Sequence, residues 1–173
     1  VWCETYVNRK AVFLNYLLQQ QKRDFTFVPI LCSFPYHALK DRRFAREKTI
    51  IEEFTYALRK TISESGKKIC MIASVDFCHV GLQYGDETAP DEQFMQKIKY
   101  FDTALTEDIA SLNSSAFVET VAQCQDRYRV CGFSSIYTML ESMDAKEGKL
   151  LDYSITEIDN QKSTVTFASM AFY

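Results

Sequence analysis

Asp76 and His79 stand three residues apart, just past a short apolar run, Ile69–Val75. Gly81 and Gly85, two of the chain's five glycines, follow closely, so the backbone turns here while carrying a carboxylate and an imidazole. The run has the length and composition of a strand buried on both faces, and a polar pair at its end is how a site at the carboxyl end of a parallel strand looks. A purely structural alternative stays open, in which Asp76 caps the turn and His79 is buried with its hydrogen bonds met. Cys131 and Gly132 stand at or just before the start of a helix carrying Ile136, Met139, Leu140 and Met143. A thiol there can have a depressed pKa and act as a thiolate, or it can be one of the inert cysteines that pack into cores. The second histidine, His37, lies in a loop beside Pro35 and Tyr36 and reads as surface.

The elements that must position these residues follow from apolar periodicity. Val7, Ala11, Leu14, Leu17 and Leu18 recur at helical spacing and predict a helix over residues 4–21. Phe25–Cys32 is rich in aromatic and β-branched residues and reads as a strand, with Pro29 where no ladder amide is needed. A second helix is expected over 43–64, stopped by Gly66, and a third begins at Pro90–Asp91 with Phe94, Ile98, Phe101, Leu105 and Ile109 in a stripe. Asn113 to Ser115 offer caps for a short helix through Gln123. Two alternating segments, 150–158 and 163–173, flank the turn Asp159–Lys162 and predict an antiparallel hairpin. This order points to one domain over residues 1–173, a three-layer α/β/α fold with a mixed sheet that ends in the hairpin.

Composition narrows the function. The chain has 173 residues, 47% hydrophobic, with net charge -3 and pI about 5.5, so no basic field would draw nucleic acid or an anionic membrane. No stretch approaches the roughly 20 apolar residues of a membrane span, and no signal peptide is marked, so the cytoplasm is the expected location. Six cysteines without a Cys-x-x-Cys pair suit reduced thiols better than a disulfide framework or a zinc cluster. A dinucleotide fingerprint, a P-loop, an H-E-x-x-H zinc helix and a G-x-S-x-G elbow are absent from the sequence. The chain opens at Val1 without an initiator methionine, which leads us to expect part of something longer.

Four segments together carry a family resemblance. Ser74-Val-Asp-Phe-Cys-His-Val-Gly81, Arg129-Val-Cys-Gly132, the closing Thr166-Phe-Ala-Ser-Met-Ala-Phe-Tyr173 and Glu4-Thr-Tyr-Val-Asn-Arg-Lys-Ala-Val-Phe-Leu14 resemble, in this order and spacing, the C-terminal part of the Memo family (mediator of ErbB-driven cell motility). That family includes the prokaryotic AmmeMemoRadiSam system protein B. The resemblance implies a fold related to class III extradiol dioxygenases and a pocket that holds a redox metal between two histidines and a cysteine. It also implies that Cys131 is a metal ligand and that His79 and Asp76 stand beside the metal, with His79 as acid, base or substitute ligand and Asp76 fixing its tautomer.

Two departures follow from the same resemblance. Thr5 stands where the family has a histidine ligand, and the other histidine falls in an N-terminal part that this chain is expected to lack. Cys131 and His79 then make two ligands, and Asp76, a water or a partner chain would have to supply the rest. The expectation is a Memo-like binding or scaffold module with a degenerate pocket, taking a small molecule or peptide and holding iron or copper weakly. The alternative is a non-haem, metal-dependent oxidase or dioxygenase-like enzyme using Cys131 and His79. A third reading, metal-free chemistry with Cys131 as nucleophile, His79 as base and Asp76 as its orienting group, lacks any nameable oxyanion donors.

Overall fold

The structure is a computed structural model and describes residues 12–18 and 25–173. The chain divides into two compact units, Val1–Ser33 and Phe34–Tyr173. In the first, residues 12–18 are helical (α1), the described part of the helix expected over 4–21, and residues 25–33 form no strand. The strand expected at Phe25–Cys32 is therefore not made among the described residues. Thr5 and Glu4 lie outside them.

The second unit carries the site. It opens with α2 (His37–Lys40), a single 3-10 turn and α3 (Ala45–Glu64). The long helix ends at Gly66, whose φ of 65° is the left-handed stop that glycine adopts without a Cβ penalty. After β1 (His79–Val80) come α4 (Glu92–Ala110), α5 (Ser114–Gln123) and α6 (Phe133–Ser142), then β2 (Gly148–Glu157) and β3 (Thr164–Phe172). Asp91 caps α4 by accepting the Phe94 amide at 2.7 Å, and Asn113 caps α5 by accepting that of Ala116 at 3.0 Å. Both caps satisfy amides that a helix start leaves without partners.

The apolar stripe of α4 goes where its spacing sends it. Ile98, Phe101, Leu105 and Ile109 are buried in one cluster with Phe117 and Val121 of α5 and Phe133, Ile136 and Leu140 of α6. Phe117 stacks on Phe133 with ring centroids 5.5 Å apart. α4 touches β2, β3 and α5, while α6 touches both α5 and α3. Helices and sheet are thus mixed, as an α/β chain requires.

The sheet departs from expectation. It has three strands in the order β1-β3-β2, and both pairings are antiparallel, so no mixed or parallel sheet is found among the described residues. The predicted strand Ile69–Val75 makes no ladder there, and Ile69 and Ile72 are exposed. A run that is apolar on both faces needs a neighbour on each edge to satisfy its backbone, and no described segment fills those edges. Pairing starts only at its end, where the Phe77 amide donates to the Thr166 carbonyl at 2.8 Å and the Thr166 amide to the Cys78 carbonyl at 3.0 Å. The hairpin is formed as predicted, with a register shift between Leu150 and Asp152.

Candidate functional site

The segment Asp76–Val80 is held along both edges. β3 pairs with it on one side, His79 opposite Val165 and Val80 opposite Thr164. Backbone from residues 128–132 binds it on the other: the His79 amide donates to the Tyr128 carbonyl at 2.8 Å, the Cys131 amide to Phe77 at 3.3 Å and the Gly132 amide to Asp76 at 3.1 Å. This second edge is what brings Cys131 to Asp76. It requires glycine at 132, because a Cβ there would fall 2.7 Å from both the Asp76 carbonyl oxygen and Val75 Cγ2.

The turn that delivers Cys131 is unusual. Gln125, Asp126 and Arg129 all have φ of 53°, a left-handed conformation that side-chain-bearing residues seldom adopt. Asp126 Oδ1 accepts the Val130 amide at 2.8 Å and closes the turn. Strain of this kind persists only where the surroundings hold it, and it collects at functional sites.

Asp76, His79 and Cys131 come together, with one ligand atom of each within 4.8 Å of the others. The imidazole has a defined tautomer. Its Nδ1 lies 3.2 Å from the Phe77 carbonyl, which can only accept, so Nδ1 is the donor and Nε2 is the nitrogen that could serve as a ligand when the ring is neutral. Nε2 sits 4.0 Å from Asp76 Oδ2. Both side chains are partly buried. The pair lies at the start of an antiparallel strand, not at the carboxyl end of a parallel one.

Cys131 precedes α6, as predicted, but its thiol is not activated by the helix. Burial of the sulfur pushes its pKa above the usual thiol value, and the charges of Asp76 and Asp126 push it further, against a backbone hydrogen bond that lowers it. The residue is exposed all the same. His37 lies apart from this cluster, between the rings of Tyr36 and Phe44 at 5.6 and 5.0 Å.

Two features at the site were not read from the sequence. Tyr84 meets the His79 ring edge-on, with centroids 4.9 Å apart, and burial, together with the nearby Asp76 carboxylate, pushes its phenol pKa up. Behind the strand, Cys78 Sγ donates to Asp102 Oδ1 at 3.1 Å and the Tyr153 hydroxyl donates to Asp102 Oδ2 at 2.6 Å. Asp102 had a legible signal, since it falls within the α4 stripe four residues after Ile98 and three before Leu105.

The donors fit a metal ion. Atoms bound at about 2.0–2.3 Å from one ion lie at most about 4.6 Å apart, so the cluster is within a small side-chain adjustment of a chelating set. Carboxylate, imidazole and thiol together suit a borderline transition metal more than calcium or magnesium.

Comparison with known proteins agrees with the family resemblance. A family model described as Memo-like protein matches residues 10–171. A MEMO1 family protein of Aquifex aeolicus is 25% identical over 98% of this chain and 40% of its own length. A MEMO1 family protein of Thermococcus kodakarensis is 24% identical over 98% of the chain and 56% of its own length. A third, from Thermococcus onnurineus, is 23% identical over 92% and 53%. The chain thus spans about half the length of the curated relatives it matches. With the family model matching nearly the whole of this chain, the chain belongs to the Memo-like protein family.

Proposed function

We propose that this chain is a metal-assisted binding module in which Asp76, His79 and Cys131 hold one iron or copper ion and a small molecule or peptide binds beside it. The observation that carries this reading is the meeting of three unlike donors from two separate segments within 4.8 Å. Of the suppliers considered for a third ligand beside Cys131 and His79, the position of Asp76 supports Asp76.

Each residue has a distinct part. The Phe77 carbonyl fixes the His79 proton on Nδ1 and leaves Nε2 as donor. Asp76 adds negative charge, which offsets that of a cation. Cys131 must release its proton to bind, and since that thiol is held above its usual pKa, uptake of metal is accompanied by proton release and weakens as the pH falls. A weak, exchangeable site is the consequence. A redox ion held there would supply one-electron chemistry toward dioxygen, and the exposure of Cys131 keeps that oxidase alternative open, since solvent-facing positions remain for a second ligand.

Titration of chelator-stripped protein with Fe2+ under nitrogen, and with Cu+, tests the reading. Cys131→Ala is expected to lower affinity by about 100-fold or more, beyond the 10 to 100-fold typical of losing an outer-shell partner. Equal affinity in the variant would overturn the site. Dioxygen consumption by the loaded protein, abolished by Cys131→Ala, would favour the oxidase.

A further inference from the structure

Residues 76–86 and 125–132 carry the two halves of this site, and an ion pair joins them beside the backbone hydrogen bonds already described. Arg129 Nη2 donates to Asp86 Oδ1 at 2.7 Å, and Arg129 Nη1 donates to the His79 carbonyl at 3.2 Å. The other carboxylate oxygen, Asp86 Oδ2, accepts the Gly81 amide at 2.6 Å. One guanidinium thus holds the backbone of a candidate ligand and a carboxylate at once, and that carboxylate holds the loop that follows the ligand. Both side chains are half-buried.

The loop closed in this way is the one that lays Tyr84 on His79. The Tyr84 and Asp86 amides both donate to the Gly81 carbonyl, at 2.9 and 3.2 Å, so a carboxylate that anchors Gly81 fixes where Tyr84 can go. Gly81 packs closely on Ser163, since a Cβ added to it would fall 2.7 Å from Ser163 Cα. Arg129 sits two residues before Cys131 in the left-handed turn, and a strained turn keeps its shape only if something outside it holds it. An exposed ion pair contributes little. This one differs because each partner makes a second, backbone hydrogen bond, which fixes geometry as well as charge.

We propose that Arg129 is a positioning residue, which acts through Asp86 and the His79 carbonyl to hold the Gly81–Asp86 loop against His79 and to set His79 and Cys131 at chelating distance. This rests on the metal-binding reading for its consequence, though not for its geometry. The two can therefore fail separately.

The experiment uses the full chain as Arg129→Met, Arg129→Lys and Asp86→Asn, with two readouts. The first needs no metal: the ring carbon–proton resonances of His79, assigned by comparison with His37→Gln, report the stacked Tyr84 ring. The second is titration with Co2+, followed by its thiolate charge-transfer absorption. Arg129→Met is expected to move the His79 resonances toward those of free histidine and to weaken Co2+ binding by about 10-fold, as loss of a supporting partner does. Arg129→Lys is expected to restore most of both, and Asp86→Asn to shift both in the same direction by less. Should Arg129→Met not fold, Asp86→Asn decides. Unmoved His79 resonances in a folded variant would overturn the proposal. If the parent chain binds no Co2+, the metal reading fails, and the resonances still decide whether Arg129 positions the loop.

Discussion

Cys78 and Cys131 each have an aspartate for a neighbour, Asp102 in one case and Asp76 in the other, and the two clusters lie at one short strand. Around Cys78 everything is closed. The thiol and the Tyr153 hydroxyl both donate to the Asp102 carboxylate, the Cys78 amide donates to Thr166 Oγ1 at 3.0 Å, and Cys78, Asp102 and Thr166 are at most 1% exposed. Burial raises the pKa of Cys78 and of Tyr153, with Asp102 adding to both, and burial likewise raises that of Asp102 against its three hydrogen bonds. Around Cys131, by contrast, the Asp76 carboxylate and His79 Nε2 face each other at 4.0 Å, beyond hydrogen-bond length, and the cysteine is open to solvent. Residue type does not separate a structural network from a binding site here. Enclosure and satisfied lone pairs do, because buried polar groups stabilise only when fully partnered, while a ligand site must keep donors free.

The largest test of this contrast is truncation of each aspartate. Asp102→Ala leaves the Tyr153 hydroxyl and the Cys78 thiol without their acceptor in the core and is expected to cost about 3 kcal/mol. Asp76→Ala, at a half-buried position, is expected to stay within about 0.5 kcal/mol while weakening metal uptake. Urea unfolding at pH 7 measures both, and comparable losses would erase the distinction. Gly132→Ala comes next. Its added methyl meets the Asp76 carbonyl at 2.7 Å, so the strand edge must part, at a cost of about 1–3 kcal/mol for an overpacked site. Metal affinity should fall with it. A variant of unchanged affinity would show that the 128–132 edge does not set the donor spacing.

How far the sequence led divides along the same line. The helices α3 to α6 and the hairpin were legible because periodicity and caps are local: Asp91, Asn113 and Gly66 mark ends that need no knowledge of the rest of the fold. Asp76, His79 and Cys131 were legible as chemistry, through their motifs and through the family those motifs resemble. Their meeting was expected from that resemblance alone, because it depends on backbone hydrogen bonds between residues 76–79 and 128–132 and on left-handed turn residues that have no signature when they are not glycine. The Arg129–Asp86 pair, 43 positions apart, has no local signal either. Ile69–Val75 failed in the opposite way, since its composition reads as a strand with two neighbours, while no described segment pairs with it and Ile69 and Ile72 are exposed.

Thiol reactivity sharpens the contrast at smaller amplitude. Cys131 is expected to react with Ellman's reagent in the folded protein, and Cys78 only on unfolding, so Cys131→Ala removes one fast equivalent and Cys78→Ala removes none. The raised Cys131 pKa makes that fast phase accelerate with pH across the range below it, because only the thiolate attacks. A fast phase lost in Cys78→Ala instead would reverse the assignment of open and closed clusters.

The smallest effect separates two carboxylates by sign. Burial pushes the Asp86 carboxyl up, but the Arg129 guanidinium and the Gly81 amide outweigh it and hold it below its usual 3.8. Its contribution to stability is therefore present above pH 3.8 and lost as the pH falls through the folded value. Burial holds Asp102 above 3.8, so its folded form favours the proton, and the stability it contributes is full below pH 3.8 and lost as the pH rises through its folded value. The difference between the parent chain and Asp86→Asn should thus shrink on acidification below pH 3.8, while that between the parent and Asp102→Asn should move against the parent as the pH climbs from 3.8. Neither slope can exceed about 1.4 kcal/mol per pH unit for one proton. Slopes of the same sign would mean that Asp102 is ionised as readily as Asp86, and that the core cluster is not closed to water.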